Sequence, residues 1–363
     1  AMYARLNLQP PEVEPYASRH VPEIIDLIRA LEAKGLTYAA AGDVLFRVRK
    51  FPGYGKLSGN SVDRLQPGAR IERESHAEDP LDFALWKGEK PGEPAWDSPW
   101  GRGRPGWHIE CSAMSMKYLG ETFDLHGGGH DLVFPHHENE IAQSEAATGK
   151  SFARIWTHPG WVTFNREKMS KSLGNVLPMQ VVLDRLPAPA LRLLICQTHY
   201  RSPFEWSDVA ERQAKETMES LQRDLDLGPS VSGGTEEGTL AADAEKHLAA
   251  FDAAMDDDLG TPRAVAEIFP LAARVRGERM QGRASFGALK RVRDEVLRRL
   301  DALGIRIELS SAGGPPAEVA ALVKEREDAR TRKEWARSDE LRAEIMRRGW
   351  SVEDTPTGSV ARK

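Results

Sequence analysis

Cysteine is scarce in this sequence, which has only Cys111 and Cys196 among its 363 residues. Two cysteines cannot build a disulfide framework. No apolar run approaches the roughly 20 residues that span a bilayer, and the N-terminus has no apolar signal core. We therefore expect a cytoplasmic protein with no membrane-spanning segment. The net charge of −5 argues against general affinity for polyphosphate, but it leaves room for a nucleic-acid partner at a local basic surface.

The hydrophobic pattern divides the chain into regions, and its length suggests two or three domains. Apolar residues recur at helical spacing over 21–34, while residues 51–106 are rich in glycine, proline and tryptophan, which indicates short strands and ordered loops. From residue 106 a helix, a strand with a glycine-rich turn, a second helix and another strand follow, the rhythm of a parallel α/β sheet. Helical periodicity dominates 178–303, and a charged helix over 317–348 precedes two terminal strands.

Three side chains, those of Cys111, His136 and Glu140, are candidate metal ligands. His136 and Glu140 are four residues apart on a helix that we expect Pro135 to open, so their side chains share one face. Thiolate, imidazole and carboxylate suit zinc better than calcium or magnesium, which prefer oxygen ligands. However, the spacing is not that of a zinc finger, and a lone cysteine also fits a buried apolar position. The residues alone leave both interpretations open, whereas Cys196, in an apolar helical run, is interpreted as core packing.

A glycine-rich turn and a polar loop are candidate sites for a phosphorylated ligand. The turn from Gly127 to Gly129 follows a predicted strand, and glycines let the backbone approach a ligand closely. Asp131 is placed to accept hydrogen bonds from ribose hydroxyls. Lys168 and Lys171 flank small side chains in the loop, and ammonium groups suit phosphate oxygens. A plain turn and a solvated surface loop are the alternatives.

Several segments together carry a resemblance to a known family. Residues Lys168 to Ser172 match the KMSKS motif of class I aminoacyl-tRNA synthetases. Gly106 to Met114 and Phe134 to Glu140 resemble the zinc-ligand segments of the cysteinyl-tRNA synthetase family. Met255 to Asp258, with Thr261-Pro262, resembles a signature of its helical domain. The matches extend from about residue 10 to the C-terminus, and their combination is far more specific than any one motif.

The resemblance implies an α/β fold that contains the second half of a Rossmann-type catalytic domain. An all-α helical bundle and a small α+β anticodon-binding unit would follow. Its implied regions are an inserted region (1–100), the remaining catalytic half with zinc site and KMSKS loop (101–178), a DALR-type helical bundle (179–309) and the anticodon-binding unit (317–363).

The resemblance also implies ATP-dependent activation of L-cysteine to cysteinyl-adenylate, followed by transfer to tRNA(Cys). Cys111, His136 and Glu140 would be ligands of one zinc ion that binds the substrate thiolate. Such recognition explains rejection of serine without editing, because a hydroxyl is a poor donor to zinc. Trp107 and His126 would line the amino-acid pocket.

Further implied roles concern ATP. Gly128 and Asp131 would hold the adenosine of ATP, which arrives with Mg²⁺. Lys168 and Lys171 would be catalytic, with Lys171 on the ATP phosphates, where a cation stabilises the charge that develops on pyrophosphate.

The C-terminal region is the implied contact with the tRNA anticodon. Arg330, Trp335 and Asp339 would share one face of the charged helix, where tryptophan stacks on an unpaired base and the charged groups read base edges. An ordinary charged helix, with its tryptophan packed on the terminal strands, is the alternative.

The sequence departs from the family pattern near its N-terminus, because it has no HIGH motif and no cysteine preceding one. We therefore expect the first half of the nucleotide-binding fold to be missing, and this chain alone, as a monomer, to be weakly active or inactive. Two other functions stay open. One is a truncated, non-catalytic tRNA-binding paralogue, and the other is an ATP-dependent cysteine ligase with a small-molecule amine acceptor.

Overall fold

The computed structural model describes residues 2–63, 76–164, 167–168, 178–228, 238–309, 316–355 and 358–362. Its contacts divide the chain into a first unit, residues 11–161, and a second unit, residues 1–10 and 162–363. Each unit buries its own hydrophobic core. None of the described helices combines the length and apolar character that crossing a membrane requires.

Helices make up most of the regular structure. The described α-helices are, in chain order, α1 (Met2–Arg5), α2 (Val21–Ala33), α3 (Trp107–Leu119), α4 (Glu138–Thr148), α5 (Met179–Arg185), α6 (Ala188–Cys196), α7 (Asp208–Leu225), α8 (Gly238–Asp256), α9 (Thr261–Met280), α10 (Phe286–Ala302), α11 (Ala317–Thr331) and α12 (Trp335–Arg347).

The strands are short and form several small sheets. They are β1 (Thr37–Ala40), β2 (Asp43–Phe46), β3 (Phe83–Gly88), β4 (Gly103–Pro105), β5 (Phe123–Gly127), β6 (Ala153–Thr157), β7 (Val162–Phe164), β8 (Glu167–Lys168), β9 (Phe204–Trp206), β10 (Ser351–Thr355) and β11 (Gly358–Arg362).

In the first unit, β1 to β4 pair in sequence order as an antiparallel sheet. Strands β3 and β4 confirm the prediction of short strands within residues 51–106, whereas β1 and β2 precede that range. The predicted helix over 21–34 is confirmed as α2, whose buried face includes Ile24 and Ile28. Helix α3 follows β4 directly through Gly106. A Cβ on Gly106 would lie 2.0 Å from the carbonyl oxygen of Ala84, so only glycine permits this close entry into α3.

The strands β5 and β6 are parallel, and α4 lies between them in the chain, so the predicted parallel α/β arrangement is present. Its second strand was predicted over residues 161–164, which include β7 of another sheet, whereas β6 was not predicted. The structure agrees with the prediction that Pro135 opens the helical backbone. Residues 133–137 form a π-type turn in which Phe134 alone is non-helical (φ −140°, ψ 131°), and the regular α-helix α4 begins at Glu138. A proline forces the residue before it out of the helical region, so the helical backbone starts at Pro135. His136 lies in this turn, directly before α4.

The second unit is mainly helical, as predicted. Helices α6 to α10 enclose a core of aliphatic side chains, and β7 pairs with β8 and β9 beside them. Cys196 packs against this core at the end of α6, which agrees with its interpretation as a packing residue.

The C-terminal segment, residues 316–362, contains α11, α12 and the antiparallel pair β10–β11. The terminal strand pair is confirmed, but the single charged helix over 317–348 is wrong. Helix α11 ends at Thr331, and α12 begins at Trp335 after Lys333, whose φ is +61°. A residue in the left-handed region cannot continue an α-helix, so the chain reverses here into two packed helices.

Candidate metal centre and ligand-binding residues

The packing of α3 against α4 brings together Cys111, His136 and Glu140. One potential ligand atom of each residue lies within 4.8 Å of the others. His136 and Glu140 are buried, and Cys111 is half-buried. Sulfur, nitrogen and oxygen donors in this arrangement form a set of the kind that binds zinc.

The carboxylate of Glu140 is the centre of this cluster. Its Oε2 atom accepts a hydrogen bond from His126 Nε2 at 2.7 Å, whereas Oε1 lies 3.2 Å from His136 Nε2. Among the described residues, no hydrogen bond of good geometry reaches the buried Oε1. Burial opposes ionisation of Glu140, but the hydrogen bond from His126 and the closeness of the His136 ring outweigh it and lower the pKa of Glu140 to about 2. An anionic oxygen therefore faces the other two donors.

His108 contacts the Nδ1 side of the His136 ring, a role that was not predicted from the sequence. The Nδ1 atoms of His108 and His136 are 2.8 Å apart, so one nitrogen donates and the other accepts. Burial, followed by the nearby His136, lowers the pKa of His108 to about 3, so His108 is neutral. If His136 donates from Nδ1, its Nε2 carries a lone pair that is free for a metal.

The thiol of Cys111 fits the same interpretation. Burial, and then the charge of Glu140, raises the pKa of Cys111 to about 12. A thiol in these surroundings stays protonated at neutral pH unless a cation compensates its charge, and a bound zinc ion ionises a coordinating thiol. The residues present therefore fit a zinc ion.

Trp107 and His126, the predicted pocket residues, both contact the metal-donor cluster. The indole of Trp107 stacks on the His136 ring at 4.5 Å between centroids, and 57% of Trp107 is exposed. His126 touches Glu140 and also lines a cavity of about 550 Å³. Cys111 lines the same cavity, so the donor cluster is open to a small molecule on this side.

The glycine-rich turn packs against a second histidine pair. His137 Nδ1 and His158 Nε2 are 2.8 Å apart, and burial lowers the pKa of His137 to about 4. A Cβ on Gly128 would lie 2.9 Å from the His137 ring, which explains why this position needs glycine. His126, His137 and Glu140 also form a second set of potential metal donors.

The residues proposed to bind ATP are described only in part. Gly128 follows directly on the carboxyl end of β5, the edge at which parallel sheets bind ligands, and the Asp131 side chain is exposed nearby. Lys168 ends the short strand β8. Lys171 lies outside the described residues.

The three predicted anticodon residues do not share one helix face, because the helix is broken. Arg330 belongs to α11, whereas Trp335 and Asp339 belong to α12. Trp335 is 58% exposed, so it does not pack into the terminal strands. Arg330 lies 3.4 Å from the carboxylate of Asp354 on β10, which holds it close to the hairpin.

Family models match most of the chain. Residues 1–216 match the model of the tRNA synthetases class I (C) catalytic domain. Residues 250–308 match the DALR domain, and residues 312–360 match the cysteinyl-tRNA ligase anticodon binding domain. These matches accord with the predicted order of an α/β part, a helical part and a small α+β part.

Individual relatives and solved structures agree with the family models. The cysteine–tRNA ligase of Geobacter metallireducens is 46% identical over 380 residues, which cover 98% of this chain and 78% of that protein. That of Azotobacter vinelandii is 47% identical over 370 residues, covering 99% and 77%.

Among solved structures, Mycobacterium tuberculosis methionyl-tRNA synthetase in complex with methionyl-adenylate has a TM-score of 0.55 at 15% identity, covering 84% of this chain and 74% of that one. A putative arginyl-tRNA synthetase from Campylobacter jejuni has a TM-score of 0.52 at 11% identity, covering 85% and 66%. At these identities the structures support the fold alone. The sequence matches go further: the chain belongs to the cysteine–tRNA ligase family of class I synthetases, and it is a ligase of the kind that forms aminoacyl-tRNA.

Proposed function

We propose that this ligase activates L-cysteine with ATP to cysteinyl-adenylate and transfers the amino acid to tRNA(Cys). Cys111, His136 and Glu140 would hold a zinc ion beside the substrate side chain. When bound, zinc supplies a soft, Lewis-acidic position that favours a thiolate over the hydroxyl of serine. One observation carries this proposal. The three donor atoms lie close together, and one of them, the buried Oε1 of Glu140, receives no hydrogen bond from the described residues.

Two neighbouring histidines orient the metal donors through hydrogen bonds. His126 donates to Glu140 Oε2 and thereby turns Oε1 towards Cys111 and His136. His108 accepts the Nδ1 proton of His136 and leaves Nε2 available, which is how neighbouring groups usually orient a metal-bound histidine. Both contacts hold their rings in place before the substrate arrives.

The cavity beside the donors is proposed to receive the amino acid. Cys111, Met114, Tyr118 and His126 line it, so apolar walls surround one polar end. A volume of about 550 Å³ accommodates a molecule as small as cysteine. The exposed indole of Trp107 covers the imidazole of His136 and shields this donor from water.

The nucleotide roles rest on position and family membership. Gly128 and Asp131 are proposed to hold the adenosine of ATP, beside the carboxyl end of β5. Lys168 and Lys171 are proposed to stabilise negative charge on the phosphates, together with the Mg²⁺ that accompanies ATP. The cysteine carboxylate then attacks the α-phosphate and pyrophosphate leaves.

The match of residues 312–360 to an anticodon-binding model favours tRNA as the acceptor. A ligase that joins cysteine to a small amine has no use for such a segment. We therefore propose that Trp335 and Asp339, both exposed on α12, contact the anticodon together with Arg330.

The metal proposal is tested by comparing the two cysteines of the chain. Cys111→Ala removes the only sulfur donor of the cluster, and we expect zinc, measured by elemental analysis after dialysis, to fall from one per chain to near zero. Cys196→Ala is the matched control, because it makes the same chemical change in the core of the second unit, and it should keep its zinc. Equal zinc content in wild type and Cys111→Ala would reject Cys111 as a ligand.

A further inference from the structure

The turn that carries His136 lies at the N-terminal end of the helix that carries Glu140, which raises the question of what fixes it. Phe134 is extended, so no helical turn continues into this one from the preceding residues. The first N–H groups of a helix also have no partner within the helix. Contacts from outside the helix therefore help to set the position of these two donors.

Glu138 and Asn139, which lie between the two donors in sequence, provide such contacts. Both side chains are buried, with exposures of 0% and 2%. Glu138 accepts hydrogen bonds from three backbone N–H groups of one loop, residues 53–60. Oε1 accepts from Gly55 at 2.9 Å, and Oε2 accepts from Ser58 at 2.8 Å and from Leu57 at 3.2 Å.

The same loop holds Asn139 through a side chain. The hydroxyl of Tyr54 donates to Asn139 Oδ1 at 2.6 Å, and the Tyr54 ring lies edge-on to Phe134 in the irregular turn. Gly55 has φ +95°, and a Cβ there would lie 1.9 Å from the carbonyl oxygen of Asn60. The tight loop thus depends on glycine, and its N–H groups converge on a buried anion as in an anion-binding nest.

We propose that Glu138 and Asn139 are positioning residues of the metal site, because they bind the loop of residues 53–60 to the turn that carries His136 and to the first turn of α4, which carries Glu140. This inference rests on the proposed zinc site. The loop bonds to Glu138 and Asn139, and the adjoining residues His136 and Glu140 belong to the set of metal donors. Displacement of the turn changes the spacing of His136 and Glu140, to which metal affinity is sensitive.

Two variants test the proposal. Glu138→Gln keeps the shape of the side chain but has one acceptor oxygen instead of two, so part of the loop loses its partner. Tyr54→Phe removes only the hydroxyl and should fold normally. We expect each variant to bind Zn²⁺ about 10- to 100-fold more weakly in competition with a chromophoric chelator, the usual effect of losing a residue that orients a ligand. The absorption bands of bound Co²⁺ should shift as well.

The chain offers a matched control in the same loop. Lys56 pairs with Glu145 on α4 at 2.7 Å, but its side chain is 47% exposed. An exposed ion pair contributes little, so Lys56→Gln should leave Zn²⁺ affinity within about twofold of wild type.

The outcomes separate this inference from the proposed function. If the wild-type chain fails to bind Zn²⁺ stoichiometrically, the metal site itself is rejected. If the wild type binds but both Glu138→Gln and Tyr54→Phe keep its affinity and Co²⁺ spectrum, the positioning role alone is overturned, even where Glu138→Gln lowers thermal stability.

Discussion

Asp354 joins the terminal hairpin to α11 through one buried guanidinium. Its carboxylate accepts hydrogen bonds from Arg326 at 2.6 and 3.0 Å, and Ser359 Oγ also donates to it at 2.7 Å. Only 2% of Arg326 is exposed. The Arg326 guanidinium outweighs partial burial and holds the pKa of Asp354 well below its usual range. This contact therefore stabilises the segment as long as Asp354 is ionised.

Asp354→Asn should lower the free energy of unfolding of the C-terminal segment by about 1.5 kcal/mol. This is the lower end of the range for a charge-assisted hydrogen bond, chosen because the Asp354 side chain is 40% exposed. Hydrogen exchange followed by mass spectrometry should show about tenfold faster exchange in residues 317–355 at neutral pH. Because the folded-state pKa is lowered, the stabilisation is complete above the unfolded value of about 3.9 and is lost as the pH falls below it.

The control for this pH-dependent effect is Glu340→Gln, which disrupts only the exposed pair of Arg337 and Glu340 on α12. Its exchange should match wild type. An Asp354→Asn variant that exchanges as slowly as the wild type at neutral pH would show that the Arg326 contact does not stabilise the segment.

At the scale of elements, hydrophobic periodicity predicted the helices and strands that depend on residues close together in sequence. Helix α2 and strand β5 follow from apolar spacing and from the glycine-rich turn, whereas β6, the parallel partner of β5, was not predicted. Spacing did not predict the break at Lys333, because the charged pattern runs through it and the reversal depends on packing of α11 against α12. The helical start at Pro135 was predicted from residue type, because proline suits the first position of a helix.

The candidate site likewise contains some residues that could be predicted from the sequence and others that could not. Cys111, His136 and Glu140 could be selected as donors from residue type and family motifs, and the structure places them together. His108 and Glu138 were missed, since both act through contacts across 28 or more residues of sequence. Pairings of this kind are set by the tertiary fold and leave no periodic signal.

At the scale of the whole molecule, the proposed macromolecular partner is tRNA. Trp335→Ala should weaken binding of tRNA(Cys) about tenfold or more in a filter assay, because a stacked base contributes roughly 1–3 kcal/mol. Met346→Ala is the control, since Met346 is 62% exposed on the same helix but is not proposed to contact tRNA. Equal affinities for Trp335→Ala and the wild type would remove Trp335 from the anticodon contact.

The central claim is that a metal held by this chain recognises the substrate sulfur. Zinc-edge X-ray absorption of the purified protein measures this directly, because Zn–S bonds of about 2.3 Å are distinct from the shorter Zn–N and Zn–O bonds. We expect one sulfur from Cys111 in the free protein and a second after L-cysteine is added, with no change on addition of L-serine. A sulfur count that stays the same with cysteine, or a zinc ion with no sulfur ligand, would contradict the account.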